Sequence, residues 1–159
     1  MYKKKNKGMG LVEIIIGSAI ISVGILAIIN SYNIYIGYAL SNKKNVQASY
    51  LLEEGLEVVT FMRDKSWSAN ISPLSPGVEY YLNFNGTIWA TTTTPEYVDG
   101  QFFRSFNLSN VNRDSGDLIS DSGTNDPNTK LLTVTVSYWQ GHSTSTKSIG
   151  TYITNLNND

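Results

Sequence analysis

The chain has 159 residues, 41% of them hydrophobic and 16% charged, so it can bury one modest core and is too short for a multidomain enzyme. Its net charge is −1, but four of its twelve basic residues are lysines at the amino terminus. Without them, eight basic residues stand against 13 acidic ones, a net charge of −5. Because nucleic-acid binding needs clustered basic residues, no nucleic-acid partner is predicted. The absence of cysteine excludes disulfides, thiolate metal sites and cysteine nucleophiles.

The segment from Met9 to Ile29 is an apolar run with one charged residue, Glu13. As a helix it is about 32 Å long, enough to cross a hydrocarbon core of about 30 Å. The basic residues Lys3, Lys4, Lys5 and Lys7 precede the run, and the next basic residues are Lys43 and Lys44. This asymmetry predicts one membrane span with the amino terminus in the cytoplasm and the remainder outside.

A cleaved secretory signal and an uncleaved signal anchor are the alternatives, because both also begin with basic residues and an apolar run. The nearest small-x-small cleavage pattern, Val46-Gln47-Ala48, lies far beyond that run. Neither alternative explains Glu13, since an unpaired charge inside a span costs on the order of 3 kcal/mol.

The stretch Lys7-Gly8-Met9-Gly10-Leu11-Val12-Glu13 resembles the prepilin signal of type IV pilins and type II secretion pseudopilins. The resemblance implies that a membrane-embedded peptidase cuts after Gly8 on the cytoplasmic side and methylates the new amino terminus at Met9. Glu13 then becomes the fifth mature residue, the position that this family reserves for glutamate. A cut after Gly10 would make it the third, so the register selects Gly8.

This resemblance also implies roles and partners. Lys3, Lys4, Lys5 and Lys7 belong to the removed leader, and Glu13 takes part in filament assembly by pairing with the Met9 amine of an adjoining subunit. The implied partners are other pilin subunits, the prepilin peptidase and methyltransferase, the assembly machinery of the inner membrane, and membrane lipid before assembly.

An amphipathic stripe follows the apolar run, with its members at helical spacing, and predicts that one long helix of about 84 Å continues to Asp64. The stripe consists of Ala48, Leu51, Leu52, Gly55, Leu56, Val59 and Met62. The segment from Leu51 to Trp67, which overlaps this stripe, is similar to a PilV-like group of minor pilins at Glu54, Gly55, Glu57, Val59, Arg63, Asp64 and Trp67. Glu54 and Glu57 are equally compatible with a merely solvated helix face.

Residues 65–159 have the Thr, Ser, Asn, Gly and aromatic content of short strands and turns. Asn85-Gly86 predicts a type I′ turn between strands Tyr80–Phe84 and Thr87–Ala90. Further strands are predicted at Phe102–Leu108, Leu131–Trp139 and Ser148–Leu156. The expected fold class is α+β, a long amino-terminal helix packed on a small antiparallel sheet.

Signals for catalysis are weak in this sequence. His142 is the single histidine and stands in a turn-like segment, and the chain has no phosphate-binding loop or dinucleotide fingerprint. An aspartate-rich loop has oxygens suited to Ca²⁺ at Asp114, Asp117, Asp121 and Asp126, but it lacks the EF-hand order. We therefore interpret it as a solvated hairpin loop, and no metal site is predicted. No cofactor is predicted.

The sequence thus predicts a leader at residues 1–8, a helix at 9–64 that spans the membrane at 9–29, and a β-rich head outside the cytoplasm at 65–159. The predicted function is that of a non-enzymatic subunit, a minor pilin by resemblance, of a type IV pilus or related filament. Its location is the cytoplasmic membrane first and a cell-surface or periplasm-spanning filament afterwards. The competing hypothesis is a membrane-anchored module that binds a glycan or protein and does not polymerise; an anchored enzyme is the third.

Overall fold

A computed structural model describes residues 9–141 and 143–156 of the chain. In this described part of the chain, two helices, α1 (Met9–Lys65) and α2 (Trp67–Asn70), precede seven strands. These strands are β1 (Tyr80–Phe84), β2 (Trp89–Thr92), β3 (Tyr97–Val98), β4 (Phe102–Arg113), β5 (Ile119–Ser120), β6 (Thr124–Trp139) and β7 (Thr144–Thr154). The predicted leader, with Gly8 and its lysines, and His142 lie outside the described residues.

The chain divides into two compact units, residues 1–43 and 44–159, and the division falls inside α1. Helix α1 contains no proline, which would remove a backbone donor and clash with the preceding turn. Within the second unit, residues 44–65 of α1, helix α2 and the seven strands form the head.

All strand pairs in the head are antiparallel, and the main order is β2-β1-β4-β6-β7, with β3 and β5 also paired to β4. The long central pair β4–β6 runs in register from Phe102 opposite Tyr138, shifts between Asn110 and Val111, and ends with Arg113 opposite Thr124. A helix packed on an antiparallel sheet confirms the predicted α+β class.

The core lies between the carboxyl half of α1 and one side of the sheet, here called the inner face. Helix residues Ala48, Leu52, Val59 and Met62 are buried, which confirms the predicted amphipathic stripe. They pack with alternate residues of the central strands, because side chains in a strand point to opposite sides in turn. The buried strand residues include Phe102, Phe106, Leu108, Leu132, Val134 and Val136.

The predicted type I′ turn at Asn85-Gly86 is wrong. Phe84 pairs with Trp89, so four residues connect β1 to β2, and only Gly86 of the Asn-Gly pair has a positive φ angle. The Asn85 side-chain oxygen accepts hydrogen bonds from the backbone N–H groups of Thr87 and Ile88, each at 3.0 Å. The Asn85 side chain thus provides hydrogen-bond acceptors for backbone N–H groups of the loop. This allows a four-residue connection in place of the two-residue turn.

Strand ends differ from the predicted ones where polar residues extend the ladder. Strand β4 continues to Arg113, β6 begins at Thr124, and β7 covers Thr144–Thr154. Asn, Asp and Ser favour turns by their local preference. In these strand extensions, however, their backbones pair with a neighbouring strand. Tertiary pairing therefore overrides the local preference.

Gly55 sets the distance between α1 and the sheet. A β-carbon at this position would lie 2.7 Å from Cγ1 of the fully buried Val134 and 3.4 Å from Cδ of Arg104. Overpacking costs about 1–3 kcal/mol, whereas alanine restores about 1 kcal/mol of helix propensity. The close approach explains why the stripe contains glycine.

We expect Gly55→Ala to lower the free energy of unfolding of the head by about 1 kcal/mol, because a mid-range overpacking cost of about 2 kcal/mol exceeds the gain in helix propensity of about 1 kcal/mol. Denaturant unfolding of the detergent-solubilised chain, followed by tryptophan fluorescence, measures this loss. Gly37→Ala is the matched control, since a β-carbon there meets no atom within 4 Å. An unchanged unfolding midpoint for Gly55→Ala would show that the Val134 side chain can move aside with no loss of stability.

Candidate functional site

The amino-terminal part of α1 is apolar and uncovered. From Leu11 to Leu40 its large hydrophobic side chains are between 43% and 73% exposed, the limits being Ile36 and Ile14. The helix is long and apolar enough to cross a membrane, with a mean hydropathy of 2.5 in its most apolar window. Monomeric soluble proteins rarely expose a patch of this extent, so lipid or another apolar surface has to cover it.

Glu13 shares one stripe of this helix with a series of glycines. Gly10, Gly17 and Gly24 lie seven residues apart, and Glu13 is three residues after Gly10 and four before Gly17, which places all four on one face. A β-carbon at any of the three glycines would meet no atom within 4 Å. The face is therefore open and allows another backbone to approach the carboxylate closely.

The serines of this helix are suited to an apolar environment. The hydroxyl of Ser18 donates to the carbonyl oxygen of Ile15 at 2.9 Å, and that of Ser22 donates to Ser18 at 2.8 Å. Ser31 donates to Ala27 at 3.0 Å. Because these hydroxyls are satisfied within the helix, Glu13 is the residue of the run whose burial needs a charged partner.

Glu54 is more than a solvated helix residue. Its Oε2 lies 2.7 Å from Nη1 of Arg104, whose side chain is only 4% exposed on the inner face of the sheet. The guanidinium carbon of Arg104 stands 5.6 Å from the ring centre of Trp89. Glu57, by contrast, is exposed. Glu54 thus supplies the counter-charge for a buried cation, and Gly55 leaves space beside it.

The aspartate-rich loop is organised around a cation of the protein itself. Nε of Arg113 donates to Oδ2 of Asp126 at 2.7 Å and lies 3.6 Å from Oδ1 of Asp117. Asp114 accepts hydrogen bonds from the backbone of Gly116 and Leu118, and Asp121 is exposed. Within residues 9–141 and 143–156, no group of three or more acidic, histidine or cysteine side chains is arranged to hold a metal ion.

The Arg113 hydrogen bond holds the pKa of Asp126 below its usual value. A carboxyl whose folded pKa is lowered contributes stability above its unfolded pKa, about 3.9, and loses that contribution as pH falls through the folded pKa. We therefore expect Asp126→Asn to lower the thermal midpoint at pH 7 and to unfold like wild type in strong acid. Asp121→Asn serves as the control. If the thermal midpoints of Asp126→Asn and wild type differ by the same amount at neutral and strongly acidic pH, the ionised Asp126 is not the source of the stability.

Among the described residues, the long apolar run at the start of α1 fits membrane anchoring with a single span. Its one charged residue is Glu13, and a β-rich head follows along the chain. Residues 3–29 match the prokaryotic N-terminal methylation motif. This motif is the prepilin-type signal of type IV pilins and pseudopilins, a class of structural subunits, and it implies processing by prepilin peptidase and assembly with other pilin subunits in general.

The match ends at Ile29, so the likeness of the later helix to PilV-like minor pilins stays a prediction from sequence. Comparison of the chain with curated proteins and with solved structures finds no significant match. The prepilin-type signal confirms the predicted family resemblance at the amino terminus, and the head has to be interpreted from its own geometry.

The sequence offers Gly17 and Gly24, with Ser18 and Ser22, as small residues suited to close helix contacts within a filament. The seven-residue period that adds Gly10 to this stripe is also visible in the sequence but was not predicted. The pair Glu54–Arg104 leaves no such signal, because 50 positions separate its members and only the sheet brings them together.

Proposed function

We propose that this chain is a structural subunit, most consistent with a minor pilin, of a type IV pilus or related filament, and that it performs no catalysis. The observation that carries the proposal is the prepilin-type signal on the uncovered apolar run of α1, in which Glu13 is the one charged residue between positions 9 and 29. A helix of this kind serves first as a membrane anchor and then as the packed centre of a filament.

The proposed sequence of events begins with insertion of residues 9–29 into the cytoplasmic membrane, with the head outside. Prepilin peptidase then cuts after Gly8, and the new amino group of Met9 is methylated. Glycine before the cut supports this position, since a side chain there would obstruct the approach of the backbone to the peptidase. The lysines of the leader keep the cleavage site on the cytoplasmic side until that step.

Charge pairing then favours entry into the filament. A carboxylate at Glu13 is costly in lipid, by about 3 kcal/mol at the centre of a span, and a terminal cation of an adjoining subunit removes much of that cost. The open stripe with Gly10, Gly17 and Gly24 permits the two helices to come close at this point. Assembly thereby exchanges a poorly solvated charge for a paired one.

Filament isolation tests the proposal. Surface filaments are sheared from the native host and separated from membranes, and the chain is quantified in both fractions with and without active prepilin peptidase. We expect the chain in the filament fraction only when the peptidase is active. Equal amounts in the membrane, with none in filaments under either condition, would instead support an anchored module that does not polymerise.

A further inference from the structure

The side of the sheet that faces away from α1, here called the outer face, is uncharged along its central strands. Segments 103–109, 131–139 and 144–152 contain two charged residues, Arg104 and Lys147. Both lie on the inner face: Arg104 pairs with Glu54, and Nζ of Lys147 donates to the carbonyl oxygen of Asn45 at 3.1 Å. Charges normally favour the solvated side of a sheet, so this arrangement is the reverse of the usual one.

Hydroxyl and amide groups form cross-strand rows on the outer face. Ser137 stands opposite Thr146, and their hydroxyl oxygens are 2.9 Å apart. Similar registers across β4, β6 and β7 place six small polar residues side by side, namely Asn107, Thr133, Thr135, Ser137, Thr146 and Ser148. Each hydroxyl both donates and accepts, and the amide adds further donors and an acceptor.

Aromatic side chains stand at both ends of these rows. Trp139 and Tyr97 are 55% and 62% exposed at one end, and Tyr152 is 50% exposed at the other. Phe103 contacts Tyr97 edge to face, with ring centres 4.3 Å apart. A groove of about 470 Å³ runs between these rings at the Trp139 end. Trp139 and Leu131 are eight residues apart on β6, so at the rise of a β-strand the outer face is about 26 Å long.

Two charged residues at the margins of the outer face, Glu79 and Lys44, are already engaged in hydrogen bonds. Glu79 accepts hydrogen bonds from Ser105 at 2.6 Å and from Tyr81 at 3.1 Å, on the β1 side. At the groove, Nζ of Lys44 donates to the carbonyl oxygen of Trp139 at 2.8 Å. A charged ligand would therefore find little complementary charge along the face.

We infer that the outer face binds a neutral, hydroxyl-rich glycan chain. Aromatic rings offer apolar faces to the C–H sides of sugar rings, and the rows between them offer hydrogen-bond donors and acceptors to sugar hydroxyls. A protein partner fits less well, because the cores of protein interfaces are apolar and depleted in serine. The site adds a binding function to the head and does not depend on polymerisation.

The test uses the full chain in lipid nanodiscs, so that it reports on the head whether or not filaments form. Binding is measured by interferometry to immobilised cellopentaose, chitopentaose and mannopentaose, with acidic polygalacturonate for comparison. We expect one or more of the neutral oligosaccharides to bind more tightly than the polygalacturonate. Trp139→Ala should weaken that binding at least about tenfold, equivalent to about 1.4 kcal/mol, and Thr135→Lys should weaken it further by placing a charge in the rows.

Tyr50→Ala is the control, since Tyr50 is an aromatic residue of α1, not of the outer face, and is 67% exposed. Unfolding midpoints verify that each variant is folded. The inference fails if none of the three neutral oligosaccharides binds, if polygalacturonate binds best, or if both outer-face variants bind like wild type. It also fails if Thr135→Lys blocks filament incorporation in the host while leaving glycan binding intact, because the face would then be a subunit interface.

Discussion

Glu13→Gln is expected to insert into the membrane normally and to enter filaments at least about tenfold less than wild type, a deficit of about 1.4 kcal/mol. The amide keeps the size of the side chain and removes its charge. The variant is easier to hold in lipid, yet it no longer neutralises the terminal amine of a neighbouring subunit. Quantification in membrane and sheared filament fractions measures both effects.

Glu53→Gln is the matched control because Glu53 is an exposed carboxylate of the same helix, located in the head unit. It should leave the distribution between the two fractions unchanged. If Glu13→Gln enters filaments as well as wild type does, the carboxylate has no part in assembly, and the pairing with Met9 has to be abandoned.

Glu54→Gln is expected to lower the free energy of unfolding of the head by about 2 kcal/mol. Removing one member of a fully buried ion pair costs about 3–5 kcal/mol, and the 43% exposure of Glu54 reduces that figure through solvent screening. Arg104 depends on this carboxylate because Glu54 is the charged partner of its Nη1 and its buried Nε makes no hydrogen bond among the described residues. Glu57→Gln, on the exposed side of the same helix, should have little effect.

A double-mutant cycle separates charge pairing from simple loss of contact. In an Arg104→Met background, Glu54→Gln should cost at least about 1 kcal/mol less than in wild type, because no buried cation is then left without a counter-charge. Denaturant unfolding of the four proteins gives the coupling energy. Equal costs in the two backgrounds would mean that Glu54 stabilises the head without acting through Arg104.

The sequence predicted those elements whose signal is local. The apolar run around Glu13 and the stripe from Ala48 to Met62 have helical spacing, and they correctly predicted α1 and its buried face. In β6, Val134, Val136 and Tyr138 alternate with Thr133, Thr135 and Ser137, a period of two that is typical of a strand with one buried side. The three apolar residues are the buried ones.

The remaining features depend on contacts that are distant in sequence. The four-residue loop after Phe84 arises from the register of β1 against β2 and from the bonds that Asn85 makes, so the Asn-Gly pair alone was misleading. The burial of Arg104 and the inward position of Lys147 follow from packing on α1, and hydropathy would have placed both in solvent. The uncharged outer face could be found only after each strand residue had been assigned to a side.

The intact mass of the chain from its native host tests the central claim most directly, since filament assembly by this route requires a terminal amine at Met9 to pair with Glu13. The account predicts a mature protein that begins at Met9 and carries one added methyl group, with residues 1–8 absent. Filament-borne protein that still begins at Met1 with its lysine leader attached would contradict the account.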